Sequence, residues 1–435
     1  MAILTSLFSG VSGLSAFGTG LSVVSNNIAN MNTIGFKDGD VSFSDIISQS
    51  LGGAAGGSQV GRGVFVNSVR TQFNQGSFET TGNALDMAIE GEGFFILRDA
   101  VGGEFYSRAG IFNLDKNGLV VNPDGLFLQG LQADITGNLT GQSGNINLAA
   151  TAFPPLASTR TDFAANLDSR VSIPAAFDVT NPTGTSNFST SITVFDSLGN
   201  GHLVSVYFRK SAEAPTGNTW EYFAVVDAND STAGVVQVQA QGTLTFGTDG
   251  TLQTESAVTY PLPSGGFDFA GGPNQGQVIA LDFGQSVITD GGTGLDGLTQ
   301  FGTTSALLNQ TQDGFASGSL QRVSISNDGI VTGLFTNGKS RALAQVMLSR
   351  FNSNQGLSKA GGNLYTISAD SGQPITGVAN SAGLGKLLTN SLELSNVDLA
   401  QQFVKMIEFQ RGFQANSRVI TTTDDILQEL VNLKR

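Results

Sequence analysis

A single histidine and a complete lack of cysteine set the chemical reach of this 435-residue chain. A Ser-His-Asp triad needs only one imidazole, so His202 is the one candidate for such a base. It lies among predicted strands near Tyr207, and no acid/base pair or nucleophile setting stands out around it. It reads as a surface or edge residue. Without cysteine, disulfides, thiolate catalysis and cysteine-ligated zinc or iron–sulfur sites are excluded, and one histidine rules out His-rich metal sites. Asp115, Asn117, Asp124 and Asp328 sit at positions that could suggest calcium loops. They lack the full ligand series with a terminal Glu, and they read as turn formers. The glycine runs lead into no Lys-Ser/Thr, so no phosphate loop is present. The Asn187-Phe-Ser189 sequon reads as incidental. The expectation is no catalytic residue, no metal, no cofactor and no enzyme.

The residues with informative spacing are apolar. Leu4, Leu7, Val11, Leu14, Gly18, Leu21, Ser25 and Ile28 recur three and four apart, a seam of period near 3.5 that wants a partner helix. Leu399, Phe403, Met406, Phe413, Ile420, Leu427 and Val431 repeat the pattern at the other end. The spacing predicts helices over 3–30 and from Val397 to about Leu433, paired with each other in a coiled-coil-like core. Ser395-Asn-Val-Asp398 has the capping-box form, with Ser395 placed to cap the second helix. Gly10, Gly13, Gly18 and Gly20 each cost a helix about 1 kcal/mol relative to Ala, so the first helix is expected to order only against neighbours. The same glycines permit close backbone approach.

Composition agrees with a surface that becomes buried. The first charged residue is Lys37. Charged residues are 13% of the chain, about half the usual ~25%, and the 57 glycines are about twice the usual share. The net charge of -14 opposes binding to nucleic acid or anionic lipid. The start has neither the basic region nor the unbroken apolar core of a secretory signal peptide, and its Ser, Gly, Thr and Asn interruptions argue against a membrane span.

Between the helices the pattern is β. Residues 31–82 read as a glycine-rich connector with a short apolar anchor at Val41, Phe43, Ile46 and Ile47, turning to strands from Gly61. Apolar runs joined by Asn-Gly and Asp-Gly turns fill 83–155 and return over 303–385. Residues 156–302 alternate differently and hold the only Trp, the only His and three of the five Tyr. Val236, Val238 and Ala240 are expected to face away from Gln237, Gln239 and Gln241. The predicted class is multidomain: a helical domain of 1–30 with 396–435, a connector of 31–82 with 386–395, a mainly-β domain of 83–155 with 303–385, and an inserted outer β domain over 156–302. The glycine-rich 50–61 and 284–302 stretches are candidate hinges.

Three separated motifs then point to a family. They are Ser25-Asn26-Asn27-Ile28-Ala29-Asn30 with Thr33-Ile34-Gly35-Phe36-Lys37; Gly61-Arg-Gly-Val64 through Thr81-Gly82-Asn83-Ala-Leu85-Asp86, Ile89-Glu-Gly91-Glu-Gly93-Phe94-Phe95 and Tyr106-Ser-Arg108-Ala-Gly110; and Ser395-Asn-Val-Asp398 with Gln410-Arg411, Gln414-Ala415-Asn416 and Leu430-Val431-Asn432-Leu433. In these residues, which cover 1–130 and 385–435, the chain resembles the flagellar axial proteins of bacteria, the rod and hook family. Asn26, Asn27, Ala29, Asn30, Gly35 and Phe36 carry the family motif. The long insert resembles hook members, with a distal rod subunit as the alternative. The resemblance implies a helical homopolymer forming a flexible curved tube that transmits torque from rod to filament. It implies neighbours in the distal rod protein, the hook cap protein and the hook–filament junction protein. It also implies export through the flagellar type III apparatus, without a cleaved signal peptide, to an extracellular place in the flagellum. A third reading is an enzyme or carbohydrate-binding β protein with its active face in 156–300, which no residue setting favours.

Overall fold

The uncharged start forms a single helix, α1 (Ala2–Ala29), and the far end a longer one, α2 (Leu399–Asn432). At 1.5 Å per residue these are rods of about 42 and 51 Å. The chain is described here by a computed structural model covering residues 2–47, 49–50, 59–148, 152–213 and 218–432. It divides into two units: Met1–Thr151 with Gln321–Leu334 and Ser340–Arg435, and Ala152–Leu320 with Phe335–Lys339.

In the first unit α1 and α2 run antiparallel. Gly10 faces Asn416 and Ile420, Gly20 faces Phe409, and Asn27 meets Gln402. α2 starts one residue after Asp398, whose Oδ1 accepts the amides of Ala400 and Gln401 at 2.8 and 3.2 Å. Asp398 is therefore the N-cap, in place of the expected Ser395, whose Oγ accepts the Val397 amide at 3.3 Å. Residues 394–398 are irregular, and the helix begins only after them.

The supposed connector is more regular than its glycine content suggested. Gly39–Asp45 and Val64–Thr71 form an antiparallel hairpin with a bulge between Ser42 and Phe43. It lies along α1: the Val64 amide donates to Ser12 Oγ at 3.2 Å, and Phe43 closes a three-ring cluster with Phe17 and Phe409. Beyond it, the strands Phe94–Arg98, Glu104–Ser107, Phe127–Ala133 and Ser340–Arg350 belong to one sheet, with Leu348 opposite Phe95 and Val346 opposite Gly130. Short C-terminal strands close the unit: Lys386–Thr389 pairs with Met87–Glu90, and Ser391–Glu393 with Phe78–Thr80. The expected turn chemistry is present. Asp115 Oδ1 accepts the amides of Asn117 and Leu119, both at 2.8 Å, and Asn122 Oδ1 those of Asp124 and Leu126.

The second unit is a five-stranded antiparallel meander, Phe188–Phe195, Gly201–Ala212, Asn218–Val226, Gln237–Phe246 and Leu252–Glu255. A three-stranded sheet accompanies it, in which Arg160–Asn166 lies between Ala280–Asp282 and Ala306–Gln312. Val204, Val206, Phe208, Trp220, Tyr222 and Ala224 alternate into one core with Phe163 and Phe283. Two expectations fail here for clear reasons. Ala306–Gln312 pairs with Arg160–Asn166, so the insert runs on to residue 320 instead of ending at 302. The Val/Gln alternation breaks at Gln239, which is the extra residue of a bulge, since Ala224 pairs with Ala240 but Val225 with Val238. Gln239 is buried, and its Oε1 accepts the Asp268 amide at 3.0 Å.

Candidate self-assembly surface and its junction

The two helices meet on small residues. The buried face of α1 is Gly10, Gly13, Ala16, Gly20, Val24 and Asn27, stepping three and four apart. A Cβ on Gly13 would lie 2.6 Å from Asn416 Oδ1, and one on Gly20 2.9 Å from the Phe409 ring. From the other side, a Cβ on Gly412 would lie 2.8 Å from the Phe17 ring. These neighbours are not free to retreat. Asn416 Nδ2 is bonded to the Gly412 carbonyl at 2.8 Å, and Phe409 is held in the ring cluster. Glycine here permits the contact.

The predicted leucine seam therefore flanks the α1–α2 contact. Leu7, Leu14, Leu21 and Ile28 are half-buried and Val11 is exposed, while the Leu4 side chain lies outside the described residues. On α2, Phe413 and Ile420 reach the glycine face, Ile420 at 3.2 Å from the Cβ position of Gly10. Leu399, Met406 and Leu427 are half-buried, whereas Phe403 and Val431 are exposed. With Phe8 65% and Val404 66% exposed, and Ile407, Val419 and Ile426 also open, the helix pair leaves much apolar surface in water within one copy. By length and composition alone, Thr5–Ala29 also passes as a membrane-crossing helix. Its glycine face, however, is already matched to protein.

The family-motif residues form the junction between helices and β body. Asn27 is buried, and its amide pairs with both backbone groups of Gly39, at 2.8 and 2.9 Å, while also donating to Gln402 Oε1 at 3.2 Å. Asn26 and Ala29 are exposed, and Asn30 folds back onto the Asn26 carbonyl at 2.9 Å. Gly35 has φ +70, and a Cβ there would lie 2.6 Å from the Ala109 nitrogen. Phe36 is buried. Asn396 accepts the Asp38 amide at 2.8 Å and donates to the Gln72 carbonyl at 2.9 Å, and Lys405 pairs with Asp40 at 2.8 Å.

Sequence reasoning missed the deepest element of this junction. Lys37 Nζ lies 2.6 Å from Glu393 Oε1, with both side chains fully buried, and Arg108 Nη1 lies 3.7 Å from Glu393 Oε2. Lys37 also donates to the Asn74 carbonyl at 2.7 Å, and Glu393 Oε1 accepts the Gly76 amide at 2.9 Å. Burial pushes both basic groups down, with Glu393 opposing. A lysine following Gly35-Phe36 carried no sign that it would be buried.

His202 is buried, contrary to the expected edge position. Its Nε2 lies 3.0 Å from Asp196 Oδ2 and its Nδ1 3.5 Å from Asp230 Oδ1, and the ring stacks on Phe269 at 4.3 Å. Both ring nitrogens face carboxylates, so neither is turned to activate a hydroxyl. A cavity of about 460 Å³ in the same unit is lined by Arg160, Asp162, Glu255, Asp282, Asp290 and Asp296. Burial and the neighbouring Asp290 and Asp282 raise the Glu255 carboxyl to about 7. The 284–302 stretch is no slack hinge. Its backbone is cross-bonded, Gly294 to Gln285 at 3.0 Å and Leu298 to Phe283 at 2.8 Å. Most of the other candidate hinge, 51–58, lies outside the described residues.

Four family profiles match in chain order. Residues 7–37 match the flagella basal body rod protein and 88–176 the flagellar hook protein FlgE/F/G D1 domain. Residues 166–315 match the flagellar basal body protein FlaE D2 domain, and 388–433 the flagellar basal body rod FlgEFG protein C-terminal region. The chain is 35% identical to the flagellar hook protein FlgE of Borreliella burgdorferi, over 99% of this chain and 100% of that one. It is also 35% identical to FlgE of Escherichia coli, over 98% of each. A solved structure of Helicobacter pylori flagellar hook protein FlgE2 aligns at 16% identity and a TM-score of 0.46, over 71% of this chain and 98% of that one.

Proposed function

The chain belongs to the flagellar hook protein family and is a structural subunit of the bacterial flagellar hook; from that premise we propose that its helix pair is the surface by which copies join. The observation that carries this is the pair's outer face. One copy satisfies the glycine stripe of α1 but leaves Phe8, Val11, Phe403, Val404, Ile407 and Val431 exposed. Apolar side chains left open along both helices of the pair are candidates for burial against further copies, and the absence of charged side chains before Lys37 spares α1 the cost of burying a charge. The leucine seam, the exposed α2 residues and neighbouring copies then form the inner wall of a tube.

In this reading the tube is curved and flexible and carries torque from rod to filament. The helices hold axial continuity, while the outer units exchange polar contacts through water as the tube rotates. Its neighbours are the distal rod protein below and the cap and hook–filament junction proteins beyond. The subunit reaches the cell exterior through the flagellar type III apparatus. Electron microscopy of sheared appendages labelled with antibody to this chain tests the placement. Label on a short curved segment is the expected result, and label on a straight shaft favours the rod alternative.

A further inference from the structure

The buried charges at the junction are unbalanced. Lys37 and Arg108 come from the first quarter of the chain, and Glu393 comes from the last strand before α2. Lys37 is 1%, Arg108 2% and Glu393 0% exposed. Two cations thus share one carboxylate, and Glu393 Oε2 accepts no hydrogen bond. The Arg108 guanidinium rests 5.2 Å from the Phe94 ring centroid, and its Nη1 donates to the Ile89 carbonyl at 3.5 Å. Glu393 also fixes backbone: its carbonyl accepts the Gly35 amide at 2.8 Å and its Oε1 the Gly76 amide. One residue therefore ties together segments near 35, 76 and 108. Removing one partner of a buried pair is strongly destabilising, because it leaves an uncompensated charge.

We propose that Lys37, Arg108 and Glu393 form a closure lock, so that the N-terminal segments of the first unit can be buried only after the strand Ser391–Glu393 has been laid against Phe78–Thr80. Before that strand arrives, closing the fold would enclose an ammonium and a guanidinium without the one buried carboxylate that pairs with both, leaving only the half-buried Asp38 and the exposed Glu92 to act on them. The open form keeps both hydrated. The lock makes completion of this unit depend on the last tenth of the chain, whatever its later assembly.

Hydrogen exchange of the purified full-length chain tests this, read at the Gly35 and Gly76 amides with the second unit as internal reference. Glu393→Gln keeps the shape and an acceptor oxygen but removes the charge. It should speed exchange at both amides about 100-fold. Lys37→Met leaves a balanced Arg108–Glu393 pair and should act at least about tenfold more weakly. The neutral triple variant Lys37→Met/Arg108→Met/Glu393→Gln should recover protection to within about tenfold of the parent. If Glu393→Gln is too unfolded to measure, recovery in the triple variant still decides for the lock. Exchange in Glu393→Gln indistinguishable from the parent, or a triple variant as unprotected as Glu393→Gln, overturns it.

Discussion

Glu255 gives the second unit a built-in response to pH. Its carboxyl, raised to about 7 by burial and by Asp290 and Asp282, keeps a proton that the unfolded chain releases near 4.5. Between those values the folded state binds more protons, so stability falls as pH rises. Trp220 is the only tryptophan and is buried in that unit, so its fluorescence follows the unit's unfolding. The expected loss between pH 5 and pH 8 is about 1–2 kcal/mol after solvent screening. Glu255→Gln should remove most of that slope, and an identical slope in both proteins would refute the assignment. Asp398→Ala should cost about 1 kcal/mol and speed exchange at Ala400 and Gln401, whereas Ser395→Ala should leave those amides alone. The spacing Ser395 to Asp398 suggested a cap three residues too early. Asn396, whose side chain is committed to Asp38 and Gln72, ties this segment to the two ends of the 39–71 hairpin.

The helix pair depends on a stripe that hydropathy does not register. Gly20→Leu places a side chain where Phe409 already sits, whereas a Cβ on Gly18 meets only Phe413, at 3.9 Å. Both substitutions raise helix propensity. If propensity governed, both would promote assembly. Packing predicts that Gly20→Leu lowers the yield of sedimentable tubes, by an overpacking cost of about 1–3 kcal/mol per subunit, while Gly18→Leu stays near the parent. This contrast also shows what could be read beforehand. Period and length placed both helices within two residues of their observed ends. They could not say which stripe of α1 faces α2, because glycine contributes no apolar signal and the leucines alone set the apparent seam. For the hairpin over 39–45 and 64–71, the apolar anchor and the strand from residue 64 are legible but their pairing is not, because a long glycine-rich stretch separates the two partners. In the second unit, alternation matches the strands Gly201–Ala212 and Asn218–Val226 but fails in Gln237–Phe246 at the Gln239 bulge, which no local pattern announces.

For the whole molecule, assembly and folding should separate. Val404→Asp changes an exposed α2 position and should leave the second unit's unfolding transition unchanged while sharply reducing tube formation, measured by sedimentation and electron microscopy. Loss of both together would mean that Val404 serves the fold of the single chain. The terminal motifs made the family legible from sequence, because Asn27, Gly35 and Phe36 meet local demands that few residue types satisfy. The extent of the insert was less so: its last strand, Ala306–Gln312, pairs with a segment about 145 residues earlier, and composition is blind to such a return. One property of the first 36 residues reaches further still. With no ionisable side chain among them, they bring to their contacts no side-chain charge for dissolved ions to screen. Along α1, a hook in pond water and one in brine would differ only through the salt dependence of apolar burial, so any charge-based adaptation falls to residues after 36.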